Sequence, residues 1–280
     1  MLARLSWRQV RSSRLLIMLL SAAAISWLVF AILIYLHFNT GAIALLQIAV
    51  NHLIPINAGF FHTFLGIQAM LAFFLVLLII PPVFSRDLAH QALPYYLSRP
   101  LSKLEYVCGK LIVATTLLSA VTWLPGLLLF GLQAGLAGSG WGARHGRIAL
   151  ALFLGSLLWI AIIALPAAAI SAWTRRRLSA TAALIGWFLV PGIFAGIVNR
   201  GLTTPWGDLI SPSSLIKIAW RGLFQLPQPA VRPMFYRGRM VMQAIHPVPA
   251  GSAYFVIVAI CALSAAILWR RLEPLRGVRG

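Results

Sequence analysis

Six apolar runs divide the chain. They cover about Leu15–Leu36, Phe60–Ile80, Val107–Leu132, Ile148–Trp173, Leu178–Val198 and Ala250–Trp269. Each is about as long as the 20 or so residues a helix needs to cross a hydrocarbon core. Pro81-Pro82 is expected to end the second helix, while Pro125, Pro166 and Pro191 fall inside the third, fourth and fifth. Neighbouring helices and local adjustments can satisfy the carbonyls that an intramembrane proline frees. The pattern predicts an all-α polytopic membrane protein with six transmembrane helices, forming one domain over residues 1–280. The first run follows "MLARLSWRQVRSSR" and is too long for the apolar part of a secretion signal, about 7–15 residues. It is read as a retained first span, with residues 1–14 as an interfacial helix on the inner side.

Composition supports this class: 61% of residues are hydrophobic and 10% charged, against about a quarter charged in a soluble domain. The net charge of +19 excludes an acidic or neutral surface and raises the question of nucleic acid. However, the Lys and Arg residues sit in short clusters at the ends of apolar runs, where lipid headgroups and the positive-inside rule put them. No stretch is long enough to make the basic face of a soluble nucleic-acid-binding body. Fifteen of the 23 basic residues fall on the side of the termini, the connection between spans two and three and the triplet Arg175–Arg177, and eight on the other side. Both termini are therefore expected in the cytoplasm, with the chain in a cell's inner (plasma) membrane. Membrane lipids are the expected surroundings.

The longest connection, Asn199–Pro249, is expected outside. Within it "SPSSLIKIAWRGLFQL" reads as a short helix, with Ser211 as cap and Pro212 in the first turn. Lys217, Arg221 and Gln225 recur every four residues among apolar positions. Such a helix either lies at the membrane surface or enters the membrane as a re-entrant segment. Gly131/Gly135 and Gly192/Gly196 have the spacing of close helix packing and are expected to pack within the chain. Cys108 and Cys261 give no disulfide framework and no metal spacing. His37, His52 and His62 lie near the outer ends of the first two spans, but no two share an i, i+4 spacing, and they are read as interfacial side chains rather than ligands.

Between spans two and three lies "SRDLAHQALPYYLSRPLSKLEYVCGKL", residues 85–111. Beyond Pro82, "SRDLAHQAL" can form a short helix. Asp87 near its start complements the helix dipole, and Leu88, Ala92 and Leu93 share a face. Pro94 interrupts it, Tyr95 and Tyr96 follow at headgroup level, and Pro100 pushes Arg99 out of helical conformation. Ser102 with Glu105 has the spacing of a capping box that fixes the start of the third helix. A stiff helix–break–helix element held at the inner surface is a candidate docking surface for a soluble partner.

The spans themselves lack Asp, Glu, Lys or Arg at their middles, whereas transporters driven by protons or sodium usually keep ionisable groups there. If the protein moves something, the energy enters from outside the spans. It does not enter through a nucleotide site of this chain, because Gly109-Lys110 is followed by Leu111 and lacks the upstream glycine of a phosphate-binding loop. No H-E-x-x-H, G-x-S-x-G or paired carboxylates occur either, so the chain reads as a non-enzyme.

At Asp87, Leu97, Ser98, Arg99, Pro100, Ser102, Lys103, Glu105, Tyr106, Gly109 and Lys110 the segment resembles the signature of type-2 ATP-binding-cassette (ABC-2) transporter permeases. The six-span layout, the long loop before span six and the basic tail "LWRRLEPLRGVRG" are similar to that family as well. Asp87 and "HQALP" stand where family members commonly have Glu and Gly-Thr-Leu. The resemblance implies that residues 85–103 form a coupling helix seated in a groove of a separate cytoplasmic ATPase, with Leu88 and Tyr95 among the contacting residues. It implies ATP and Mg on that partner, no cofactor on this chain, and a second permease copy, identical or a close homologue. The outer segment before span six would form part of an exit gate. The expected function is that of the permease subunit of an ATP-driven exporter. Two alternatives are a non-transporting subunit that passes ATP-driven motion to an outer-face protein, and a lipid-modifying enzyme using Asp208, His246 or His52 with His62.

Overall fold

In hydrocarbon a backbone must satisfy its own N–H and C=O groups, so runs this apolar have helix as their one spanning solution short of a closed barrel. The computed structural model describes residues 14–39, 55–89, 103–138, 140–174, 176–201, 204–228, 231–236, 239–244 and 247–271. The helices are α1 (Arg14–Phe38), α2 (Ala58–Ala89), α3 (Lys103–Val121), α4 (Trp123–Leu136), the single turn α5 (Trp141–Arg144), α6 (Gly146–Trp173), α7 (Arg177–Gly201), α8 (Pro212–Leu223) and α9 (Ala250–Arg271), with a 3-10 turn at Pro205–Leu209. Six segments are long and apolar enough to cross a membrane: α1, α2 up to Pro82, α3 with α4 from Val107 to Leu136, α6, α7 and α9 up to Arg270. The chain has the build of a multi-pass membrane protein.

The core is the seam between α2 and α6. Phe61, Phe64, Leu65, Leu75 and Ile79 of α2 and Leu152, Ile162 and Ile163 of α6 are fully buried. Helices α1 and α3 lie on α2, while α4, α7 and α9 lie on α6. The peripheral helices turn large apolar side chains outward, such as Ile193, Phe194 and Ile197 of α7 and Phe255 and Val258 of α9. An outward face of this kind suits lipid, not water.

Prolines account for two departures from the expected boundaries. Helix α2 does not stop at Pro81-Pro82 but runs through both to Ala89. A proline removes one donor and crowds the carbonyl four residues back, yet its fixed φ is helical, and the turn before it, with Leu75, Val76, Ile79 and Ile80 buried, is held by packing. The third span, expected to be continuous, is split. Pro125 cannot donate to Val121 and its ring crowds that carbonyl, so α3 ends there and Thr122 takes φ −101° and ψ −87°. The Thr122 N–H and hydroxyl both donate to the Leu118 carbonyl, at 2.9 and 2.7 Å.

The expected packing role of two glycine pairs is also corrected. A Cβ at Gly131, Gly135 or Gly196 would meet nothing within 4 Å, and one at Gly192 would meet only the Ser211 hydroxyl, at 3.6 Å. Close approaches occur instead at Gly126, Gly155, Gly207 and Gly222, because the seams of this bundle run on the opposite faces of those helices.

The connection from α7 to α9 departs most. Helix α8 is present as expected, and its backbone starts at Ser211, but the Ser211 hydroxyl makes no cap bond. It pairs with the Ser213 hydroxyl at 2.9 Å. Strands β1 (Val231–Tyr236) and β2 (Arg239–Ala244) then pair antiparallel, with the register running from Val231↔Ala244 to Tyr236↔Arg239. Pro233 in β1 is tolerated because both strands of a two-stranded ribbon are edges. This hairpin lies in the part of the long outer connection for which the sequence pattern predicted no regular element.

The end of α7 is clasped to the 3-10 turn. Asn199 accepts from the Gly207 N–H at 2.8 Å through Oδ1 and donates to Asp208 Oδ1 at 2.9 Å through Nδ2. A Cβ on Gly207 would come within 2.5 Å of Asn199 Oδ1 and 2.7 Å of the Ala195 carbonyl. Gly207→Ala is therefore expected to cost about 1–3 kcal/mol, whereas Gly196→Ala, with open space around it, should not destabilise. Thermal unfolding in detergent compares the two, and an equal effect would contradict the clasp.

Candidate functional site

Two features bear on function, one at each end of the bundle. The first is the turn from α2 to α3. Because α2 continues to Ala89, residues 85–89 belong to it and do not start a separate helix, which corrects the expected break after Pro82. Asp87 and Leu88 thus stand in the last turns of a long helix. Helix α3 begins at Lys103, with Glu105 exposed in its first turn, where a carboxylate complements the helix dipole. Tyr95, Leu97, Ser98, Arg99, Pro100 and Ser102 lie outside the described residues, and with them the Arg99-Pro100 break and the Ser102 half of the capping box. Gly109 is half-buried, Cys108 exposed and Lys110 only 5% exposed. Lys110 opens the buried stripe of α3, which continues through Val113, Ala114, Leu117, Leu118 and Val121 at helical spacing. That stripe packs on α2, α4 and α6.

The second feature is α8. The structure packs α8 into the bundle, against α6, α7 and α9. Leu215, Ile216, Ile218, Ala219 and Trp220 are buried and Lys217 is exposed. The Trp220 indole donates to the Gly155 carbonyl at 2.8 Å and stands 5.9 Å from the Trp159 ring. Gly155 is nine residues into α6, about 14 Å below its start at 1.5 Å per residue. Gly155 also makes room for this indole, since a Cβ there would meet Trp220 and Leu65 at 3.2 Å. Tyr254 of α9 donates its hydroxyl to the Ala219 carbonyl at 2.8 Å, and Gly222 lets α8 approach Ala250 and Tyr254. The helix ends in a double closure: Leu226 N–H to Arg221 O at 2.9 Å and Gln225 N–H to Gly222 O at 3.3 Å, with Gln225 at φ 53°. Glycine usually holds that position in this motif, because a left-handed backbone strains a residue with a Cβ.

Among the described residues, several bonds between helices are made by neutral donors. Trp27 of α1 donates to the Pro125 carbonyl of α4 at 3.1 Å. Gln68 of α2 donates to the Ala23 carbonyl at 3.1 Å and the Ser26 hydroxyl at 3.0 Å, both on α1. Trp159 of α6 donates to the Ala69 carbonyl of α2 at 3.1 Å. With Trp220 and Tyr254 they link α4, α1, α2, α6, α8 and α9 in one series. Every Lys and Arg within the six spans (Arg14, Lys110, Arg147, Arg177, Arg200 and Arg270) lies within four residues of a span's end.

None of these tryptophan contacts was anticipated from the sequence. The sole signal was the placement of Trp27, Trp159 and Trp220 within apolar runs, where an indole N–H requires an acceptor. Among the described residues no three His, Cys, Asp or Glu side chains come together as a metal site requires. His62 packs edge-on against Trp220 and Phe224 at 6.1 and 5.8 Å, and His37 against Phe38 at 5.3 Å. His52 and His246 lie outside the described residues, and Asp208 is engaged by Asn199.

The seat of α8 is testable at two residues. Trp220→Phe loses the donor and one ring of a buried indole, and is expected to destabilise by more than the roughly 0.6 kcal/mol of the lost bond because the missing ring leaves a cavity. Gln225→Gly relieves the left-handed backbone and is expected to gain up to about 1 kcal/mol. Unfolding midpoints shifting in opposite directions for the two variants would support the described seat, and a loss of stability in Gln225→Gly would contradict it. No family model matches the chain, and no curated protein matches it.

Proposed function

We infer that this chain is the membrane-spanning permease subunit of an ATP-driven ABC-2 type exporter. The observation that carries the reading is a conjunction. The segment 85–110, with its Leu97-Ser98-Arg99-Pro100 break and its Gly109-Lys110 pair, joins two spans whose middles hold no charged group. A bundle without an internal proton or cation relay needs an external motor, and this segment is where the chain offers one a handle. Residues 85–103 act as the coupling helix, docking in a groove of a cytoplasmic ATPase that holds ATP and Mg. Closure of two such ATPases pushes on the start of α3, whose buried stripe begins at Lys110, and so tilts α3 against α2 and α6. The chain works as a pair with a second permease copy, both termini in the cytoplasm of a cell whose inner membrane holds it. At the opposite end α8, seated by Trp220 and Tyr254, is the gate element, opening outward when its neutral bonds to α6 and α9 are exchanged.

The hairpin favours one second reading. A two-stranded ribbon leaves both outer strand edges able to pair with another chain, as a subunit working on an outer-face protein would require. ATP hydrolysis by the purified complex separates the two: stimulation by amphipathic solutes favours export, and stimulation by a protein alone favours the other.

Purification of the chain from its native membrane is expected to bring down an ATPase with a phosphate-binding loop. Asp87→Lys and Arg99→Glu should leave insertion and yield unchanged while reducing the co-purified ATPase about tenfold or more, the scale of losing one charged contact worth about 1.5–3 kcal/mol. Unchanged ATPase recovery in both variants would overturn the assignment of the coupling segment.

A further inference from the structure

Near the end of the bundle formed by the α6–α7 turn and the end of α9, three helices leave a groove of about 420 Å³, within the 300–1,000 Å³ or so of ligand sites. Pro166, Ile170 and Trp173 of α6, Trp187 of α7, and Leu263 and Ile267 of α9 line it. Ser264 and Thr174 contribute hydroxyls, and that of Thr174 is already bonded to the Ile170 carbonyl at 3.2 Å.

Basic residues stand at one end of this groove on each flank. Arg176 and Arg177 follow Trp173 and Thr174 within a few residues and open α7, whose N-terminus adds the positive end of a helix dipole. Arg270 lies three residues beyond Ile267, on the same face of α9 one turn on. All three arginines are exposed. The groove's lining runs from Thr174 to Pro166 on α6 and from Ile267 to Ile260 on α9, and meets α7 at Trp187. Seven or eight helical residues span about 10–12 Å, against a hydrocarbon core of about 30 Å. Of the chain's four acidic residues only Glu273, three positions past Arg270, is close to this rim in sequence, beside Arg270, Arg271 and Arg175–Arg177. Arginines at helix ends are ordinary in a membrane protein. An apolar slot between three helices, with arginines a few residues beyond its lining on α6–α7 and on α9, is a feature the positive-inside rule does not require.

We propose that this groove binds one anionic membrane phospholipid, with an acyl chain along α6, α7 and α9 and its phosphate among Arg176, Arg177 and Arg270. Basic pockets between spans recognise anionic headgroups in this way, and guanidinium forks suit phosphate. The site needs only that the chain spans a membrane and does not depend on an ATPase partner.

The test uses the full chain in phosphatidylcholine vesicles doped with phosphatidylglycerol that carries a photoreactive group on its acyl chain. A phosphatidylcholine probe with the same group serves as the control. The anionic probe is expected to label peptides covering residues 166–174 and 260–267 in preference to the control. Unlabelled phosphatidylglycerol should displace it and inorganic phosphate should not. Arg176→Ala, Arg177→Ala and Arg270→Ala should each lower labelling about fivefold, the worth of one basic side chain near an anionic surface. Ser264→Phe, which fills the groove and leaves the charges in place, should abolish it. Equal labelling by the two probes, labelling spread over the outward faces of α1 and α7, displacement by phosphate, or no effect of the arginine changes would each overturn the proposal. The arginines are exposed, so their variants decide the question even if Ser264→Phe does not fold.

Discussion

A helix bundle in hydrocarbon cannot borrow hydrogen bonds from water, and a charged side chain at mid-span costs about 2.5–3.5 kcal/mol even on permissive scales. Among the described residues, five neutral side chains accordingly donate from one helix to a backbone carbonyl of another. Trp27, Gln68, Trp159, Trp220 and Tyr254 each do so across a helix boundary. Each is worth only about 0.6 kcal/mol on average in a membrane, so each orients a helix without locking it. Packing along the α2–α6 seam supplies the bulk of cohesion, and the neutral bonds choose the register. This constraint also keeps every Lys and Arg of the spans near their ends.

Weak, neutral connections suit a machine that must move. Helix α8 shows the balance most clearly: five of its apolar side chains are buried, yet its two hydrogen bonds to other helices are a tryptophan N–H and a tyrosine hydroxyl. Its C-terminal closure places Gln225 in a left-handed conformation that costs stability. At the other end, the buried stripe of α3 starts at Lys110, within the first two turns after the helix begins at Lys103. In the reading proposed here, these two ends are the input and the output of one ATP-driven cycle.

The six spans were legible because the bilayer sets both their length and their composition, and their observed ends match the apolar runs within a few residues at most termini. What the pattern missed was decided by local sterics or by packing between distant residues. Pro81-Pro82 reads as a stop, but packing at Leu75, Val76, Ile79 and Ile80 keeps the helix going, whereas Pro125 breaks the third span at Thr122. The same residue type gave opposite outcomes, and only neighbours outside the run tell them apart. The depth of α8 depends on a glycine 65 residues away that admits the Trp220 indole. The hairpin had a readable signal, two short runs separated by Arg237-Gly238, which the surrounding apolar pattern obscured. Of residues 85–110, the charged ends of α2 and α3 were legible, while the buried position of Lys110 required the packing of α3 on its neighbours.

The central claim is that a separate motor acts on the inner connection between α2 and α3. A photo-crosslinking amino acid at position 95, introduced in the native membrane, tests it most directly. The account predicts one dominant adduct, to an ATPase carrying a phosphate-binding loop and formed on the side of the membrane that holds both termini. Reaction of position 95 with an impermeant reagent added from the opposite side, or the absence of any protein adduct in an active membrane, would contradict it.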